Sequence, residues 1–169
     1  CYESDKAAKK IMVNDQDLSN QIKSVFGSDI YIGNQLDTKK LANLVFNDRA
    51  KLAILNAIVH PKVTEDFKSF TSKQQGPYII EEAAILIESE AYKNCDLIIL
   101  VTAPKSDRVD RIFRRDGTPY NDIYKRMSHQ WNDEKKIPYS DFIIDNKVWE
   151  KTTQQIADIH RKLLTQSYK

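Results

Sequence analysis

Three features of the sequence predict an α/β fold in which a parallel sheet is flanked by helices. Residues 5–74 carry helical periodicity almost throughout. Leu97 to Thr102 (LIILVT) is an apolar run with little alternation, the pattern of a strand covered on both faces in a parallel sheet. From there on, strands alternate with helices, which implies right-handed βαβ units.

Asp5 to Met12 reads as a helix following a strand-like entry, with Ser4 or Asp5 as its cap. Asp15 to Phe26 is a second helix, with Leu18, Ile22, Val25 and Phe26 on one face and Gly27 as its stop. Ile30 to Ile32 is a short extended piece before a Gly33-Asn34 turn. Asp37 caps a helix carrying Leu41, Leu44 and Val45, and Asp48 opens another that runs to about Val59. His60-Pro61 predicts a break there, because proline disfavours helix in the residue before it. Val63, Phe67 and Phe70 stripe the next helix. Tyr78 to Glu81, Leu97 to Thr102 and Phe142 to Asp145 are the predicted strands, and Thr152 to Leu164 is a C-terminal helix.

The composition is that of an ordinary soluble domain, with 30% charged and 41% hydrophobic residues. A net charge of +2 excludes a global nucleic-acid footprint. No apolar run reaches ~18 residues, so no membrane span is expected. Cys1 and Cys95 form no metal or redox spacing, which fits a reducing cytoplasm with Cys95 as a buried thiol. No His/Cys/Asp cluster suggests zinc.

Arg108 to Gln130 (RVDRIFRRDGTPYNDIYKRMSHQ) carries the strongest chemical signal. From Arg108 to Arg126 there are six Lys/Arg against three Asp, an excess that suits a small anionic ligand better than a duplex. Arg108, Arg111 and Arg115 share a helix face, and Arg126 follows a Gly117 hinge and Pro119. Guanidinium forks bind phosphate oxygens through paired charge-assisted bonds. The bland reading is a solvated face laced with Asp107, Asp110 and Asp122. Asp5, at a strand-to-helix junction, is either a helix cap or a base for a substrate hydroxyl. Glu81 and Glu82 alternate across a strand end, so only one of them can face a ligand. A carboxylate there, with Glu82 the candidate, helps place Mg²⁺ and its waters, or is a solvated strand end. Glu88 contacts a polar substrate or is plain surface. His60 positions a substrate or is a half-buried histidine at a helix break.

In this order the segments resemble dephospho-CoA kinases, P-loop kinases that phosphorylate the ribose 3′-hydroxyl of dephospho-CoA. The matching residues are Glu3-Ser-Asp-Lys-Ala-Ala, His60-Pro61-Lys-Val and Glu82-Ala-Ala-Ile-Leu-Ile-Glu88, followed by Cys95-Asp96. Then come Arg111-x-x-x-Arg115-Asp116-Gly117, Arg126-x-x-x-Gln130 and Ser140-Asp141-Phe-Ile-Ile-Asp-Asn146. The resemblance implies a P-loop kinase fold with a nucleotide-binding core at 1–14, 75–105 and 137–169. It implies a helical CoA subdomain at 15–74 and a lid at 106–136. The implied substrates are ATP and dephospho-CoA, with Mg²⁺. Asp5 is the implied base, and Arg115 and Arg126 the phosphate ligands that also stabilise the moving phosphoryl group. Arg111 and Asn146 would lie near the adenine or its ribose, and His60, Leu86 and Glu88 would line the acceptor pocket.

Several positions depart from the family pattern. Ala84-Ile85-Leu86 stands for Pro-Leu-Leu, Arg108 for a common glutamine, and Glu3 and Glu82 for Asp. The family's opening strand, Gly-rich GxxGxGK[ST] loop and helix have no counterpart, and none of Gly27, Gly33, Gly76 and Gly117 lies in such a pattern. That loop supplies both the phosphate nest and a metal ligand. The expectation is that this chain by itself is not a competent kinase, whereas the intact protein is. A nucleoside or nucleotide monophosphate kinase of related fold and a non-catalytic kinase-like binding module are the competing readings.

Overall fold

The computed structural model describes residues 1–165 and consists of two compact units, residues 1–84 and 85–169. The end of the expected core segment, residues 166–169, lies outside the described residues.

In the first unit β1 (Tyr2–Glu3) runs parallel to β4 (Glu81–Glu82), with Tyr2 beside Glu81 and Glu3 beside Glu82. β1 passes without a loop into α1 (Ser4–Asn14), which is followed by α2 (Gln16–Phe26). A hairpin of β2 (Tyr31–Ile32) and β3 (Gln35–Leu36) turns at Gly33, whose φ of 62° is cheap only without a Cβ. Next come α3 (Thr38–Phe46) and α4 (Arg49–Thr71). The helices start where the sequence offers carboxylate caps. Asp15 accepts from the Leu18 N–H at 2.9 Å, Asp37 from Lys40 at 2.9 Å, and Asp48 from Ala50 and Lys51 at 3.0 and 3.2 Å. Their apolar faces meet in one core that includes Met12, Leu18, Ile22, Ile30, Leu41, Val45 and Val59. Leu18, Ile22 and Ile30 are fully buried, each contributing about 1.5–3 kcal/mol by leaving water. Tyr31 donates its buried hydroxyl to the Met12 carbonyl at 2.8 Å, and burial raises its phenol pKa.

The expected break at His60-Pro61 does not occur. α4 is a single 23-residue helix with Pro61 inside it. The amide that proline lacks would have served the Ala57 carbonyl, and Ala57 is exposed, so water can take that place. The Thr64 hydroxyl meanwhile donates to the His60 carbonyl at 3.0 Å.

In the second unit β5 (Ile99–Thr102) and β6 (Phe142–Asp145) pair in parallel, from Ile99 beside Phe142 to Thr102 beside Asp145. Between them lie α5 (Lys105–Asp116), α6 (Tyr120–Met127) and the short α7 (Asp133–Lys136). α8 (Trp149–Thr165) packs on β6. The expected covering of both strand faces is not met. Leu100 and Ile144 are buried, but Val101 and Ile143 are about half exposed, and the described strands of this unit form a ribbon only two wide. Cys95 is half-buried rather than buried, and among the described residues Cys1 and Cys95 form no disulfide.

Candidate functional site

Two clusters of charge stand out, one in each unit. The first lies at the carboxyl ends of β1 and β4. Asp5 is not the cap of α1. Glu3 holds that position, in extended conformation and without a side-chain cap bond, which places Asp5 in the first helical turn. Asp5 is exposed, and among the described residues its carboxylate accepts no hydrogen bond. The pleat separates the two acids of β4. Glu81 accepts a hydrogen bond from the buried Ser4 hydroxyl at 2.7 Å, while Glu82 stands in the electrostatic field of Asp5. Partial desolvation raises the Glu82 pKa above the ordinary carboxylate value, the negative charges of Asp5 and Glu3 add to this, and Lys6 opposes it. Lys6 itself pairs with Glu3.

Tyr2 anchors this edge from below. Its hydroxyl donates to Asp66 on α4 at 2.8 Å, and its ring lies 5.0 Å from Phe67 and 5.4 Å from Phe70. Burial and the Asp66 carboxylate raise the phenol's pKa, so it stays a neutral donor. His60 is half-buried within α4, and burial lowers its pKa below the ordinary imidazole value, leaving it neutral at pH 7. A groove of about 940 Å³ also opens beside α1, lined by Lys6, Lys10, Lys62, Glu3, Asp15 and Asp66 among others. Neither Asp5, Glu82 nor His60 lines it, and its mixed charges favour no one ligand sign, so the carboxylate cluster is the better candidate for chemistry.

The second cluster is the arginine-bearing segment. Val109 and Ile123, 2% and 1% exposed, fasten α5 and α6, and Phe113 stacks on Tyr120 with ring centroids 4.7 Å apart. Gly117 closes α5 at a φ of 65°, with its N–H on the Phe113 carbonyl at 2.8 Å. Arg111, Arg115 and Arg126 are exposed. Arg115 forks its own neighbour, with Nε and Nη2 on the two Asp116 oxygens at 2.7 and 2.8 Å. That hydrogen-bonded pairing raises the pKa of an already permanent cation. Arg108 forks Asp133 at 3.1 and 3.2 Å, tying the start of α5 to α7.

Glu88 is turned inward. One carboxylate oxygen accepts from the Trp131 N–H and from Lys136 Nζ, each at 2.9 Å, while the other is buried without a hydrogen-bond partner. Leu86 is half-buried in the same turn, and its carbonyl accepts from the Tyr92 N–H at 3.2 Å. Asn146 follows β6 directly, its N–H on the Thr102 carbonyl at 2.7 Å and its side-chain oxygen 3.4 Å from the Thr152 hydroxyl. Gln155 braces the residue before it, accepting from the Asp145 N–H at 3.0 Å and donating to its carbonyl at 3.1 Å.

Within the first unit, then, Glu82 lies within the electrostatic reach of Asp5. Within the second, Arg111 and Arg115 share α5, Arg126 lies on α6, Leu86 and Glu88 share a turn, and Asn146 ends a strand. Sequence reasoning missed Ser4, Asp66, Asp133 and Thr152. Ser4 was weighed only as a cap, and the partners of Tyr2 and Arg108 are 64 and 25 residues distant in sequence.

Comparison with known proteins bears on the same chemistry. The sequence profile of the dephospho-CoA kinase family matches residues 2–151. The dephospho-CoA kinase of Chlorobium chlorochromatii is 31% identical, covering 98% of this chain and 82% of that protein. The enzyme of Chlorobium luteolum is 34% identical over 92% of this chain and 75% of its own length. Among solved structures, one from Thermus thermophilus superposes with a TM-score of 0.84 at 25% identity, covering 98% of this chain and 84% of its own. The dephospho-CoA kinase from Campylobacter jejuni gives 0.62 at 25% identity, over 96% and 83%. The parallel strand pairs flanked by helices are thus those of the P-loop kinase fold. This chain belongs to the dephospho-CoA kinase family, ATP-dependent kinases that phosphorylate the ribose 3′-hydroxyl of dephospho-CoA to give coenzyme A.

Proposed function

We propose that Asp5 is the base of this reaction. It takes the proton of the 3′-hydroxyl as that oxygen bonds to the γ-phosphorus of ATP and the bond from that phosphorus to the β–γ bridging oxygen breaks, releasing ADP. The observation that carries this reading is an exposed carboxylate without a protein donor, in the first turn of a helix at the carboxyl end of a parallel strand pair. A capping carboxylate would be occupied by backbone N–H groups, and this one is not.

Arg115 and Arg126 hold the ATP phosphates and stabilise the charge that spreads as the phosphoryl group moves. Arg115 already holds the planar, two-pronged geometry that phosphate demands, and its partner Asp116 stands in for the phosphate oxygens. With the Arg115 side chain 73% exposed, exchanging one anion for the other is cheap. Arg111 and Asn146 meet the adenine or its ribose. His60 and Leu86 offer the acceptor a neutral surface, and the unpartnered Glu88 oxygen accepts from one of its hydroxyl or amide groups. Residues 15–74 serve the acceptor and 106–136 close on the nucleotide carried by the remaining core, in the cytoplasm.

Mg²⁺ fits the residues present. Among the described residues no three His, Cys, Asp or Glu side chains gather as a protein metal cage. A Mg²⁺ held mainly by phosphates and water needs only a nearby carboxylate to orient its waters, and Glu82 supplies one. Glu82 would contact its waters, and the ion would neutralise charge on the transferring phosphates. In the intact enzyme Asp5→Asn should lower kcat by roughly 10²–10⁴-fold, with KM for both substrates nearly unchanged. Turnover within threefold of the parent would remove Asp5 from this role.

A further inference from the structure

We infer that Ser4 and Glu81 are positioning residues for Asp5, an inference that rests on the reading of Asp5 as the base. α1 springs from β1 without a loop, and its cap residue, Glu3, forms no side-chain cap bond. No capping bond therefore fixes how its first turn is rotated, and the local tie across that turn is the solvent-exposed Lys6–Glu3 ion pair. A second tie comes from outside the helix. Ser4, 8% exposed, donates its hydroxyl to Glu81 on the neighbouring strand at 2.7 Å. Asp5 is the next residue, so the rotation that this bond sets also sets the direction of the Asp5 carboxylate. Tyr2 completes the brace. It pairs beside Glu81 in the ladder, gives its N–H to the Ile80 carbonyl at 2.7 Å, and fastens to Asp66.

The bond also divides the two acids of β4 between two tasks. Glu81 is committed to Ser4, which leaves Glu82 as the acid whose field Asp5 feels. A displaced base loses rate without losing substrate, because attack geometry is far more sensitive to an ångström than binding is.

The test is a set of variants in the intact enzyme, read as kcat, KM for each substrate and Tm. Ser4→Ala and Glu81→Ala should each lower kcat by roughly 10–100-fold with KM within threefold of the parent. The double variant should be no slower than the worse single one, since both break the same bond. Glu81→Gln, whose amide oxygen still accepts from the Ser4 hydroxyl, should recover most of the loss. In an Asp5→Asn background, Ser4→Ala should have no further effect. Additive losses, equal losses in Glu81→Gln and Glu81→Ala, or a fall in Tm that accounts for the lost activity would overturn the inference while leaving the base in place. Normal turnover in Asp5→Asn alone would overturn the base reading itself, and the positioning role with it.

Discussion

Asp5 and Arg115 are both exposed and both charged, yet the backbone beneath them is held in opposite ways. Asp5 rides on α1, which packs on α2 and α4 around fully buried Leu18 and Ile22, and whose first turn is pinned by Ser4 to Glu81. Arg115 rides on the last turn of α5, a helix whose described residues include one buried side chain, Val109, and which stops at a left-handed glycine. The acid is therefore set in place by the fold. The guanidinium is held by a neighbouring carboxylate at the exposed surface, and in the proposed reading its final geometry is set by the nucleotide phosphates. A base must meet one hydroxyl with ångström accuracy, whereas a phosphate-binding arginine has to arrive with the nucleotide and leave with the product.

The largest expected effect concerns a tie buried within the arginine-bearing unit. Glu88 and Lys136 are 11% and 12% exposed, so their pair is nearly dry. Glu88→Ala should destabilise the protein by about 3–5 kcal/mol, read by denaturant unfolding, because it strips a buried cation and the Trp131 N–H of an acceptor. Glu88→Gln keeps an oxygen for that N–H and should cost less. Because the second Glu88 oxygen is the one proposed to meet the acceptor, Glu88→Gln should also raise KM for dephospho-CoA, and an unchanged KM would leave Glu88 a residue of the fold alone.

Next comes Arg115→Ala, expected to cost about 2–4 kcal/mol of transition-state stabilisation in kcat/KM without shifting Tm, since the Asp116 partnership is exposed. A loss under tenfold would return Arg115 to the solvated surface.

The smallest expected effect belongs to the acid side. Glu82 has a folded-state pKa above its ordinary value of 4.5, so folding favours its protonated form. That contribution is fully present below pH 4.5 and is lost as pH rises through the raised value. Glu82→Gln should match the parent's Tm in acid and exceed it slightly above that window. A Tm difference independent of pH would show that neither burial nor the charges of Asp5 and Glu3 raise the Glu82 pKa.

What the sequence disclosed follows the range of the interactions. Asp15, Asp37 and Asp48 cap helices as expected, because a cap is decided within three residues. The β5 and β6 strands were legible from short apolar runs, whereas β1 and β4 are two residues each and exist only as partners of one another. Pro61 misled because its cost depends on whether the carbonyl it orphans faces water, which is a tertiary fact. The inward turn of Glu88 was equally hidden, since Trp131 and Lys136 lie more than forty residues away. Arg115 and Arg126 were conspicuous as a local excess of charge, but no local pattern announced that Arg108 would be taken by Asp133.

The division of labour between a preset acid and a nucleotide-gathered set of arginines is tested most directly by the ATP dissociation constant, measured calorimetrically in the intact enzyme. Asp5→Asn should bind ATP as the parent does, and the paired Arg115→Ala and Arg126→Ala variant should bind roughly 30-fold or more weakly, from the loss of two charge-assisted phosphate contacts. Unchanged affinity in the arginine pair, or a comparable loss in Asp5→Asn, would contradict the account.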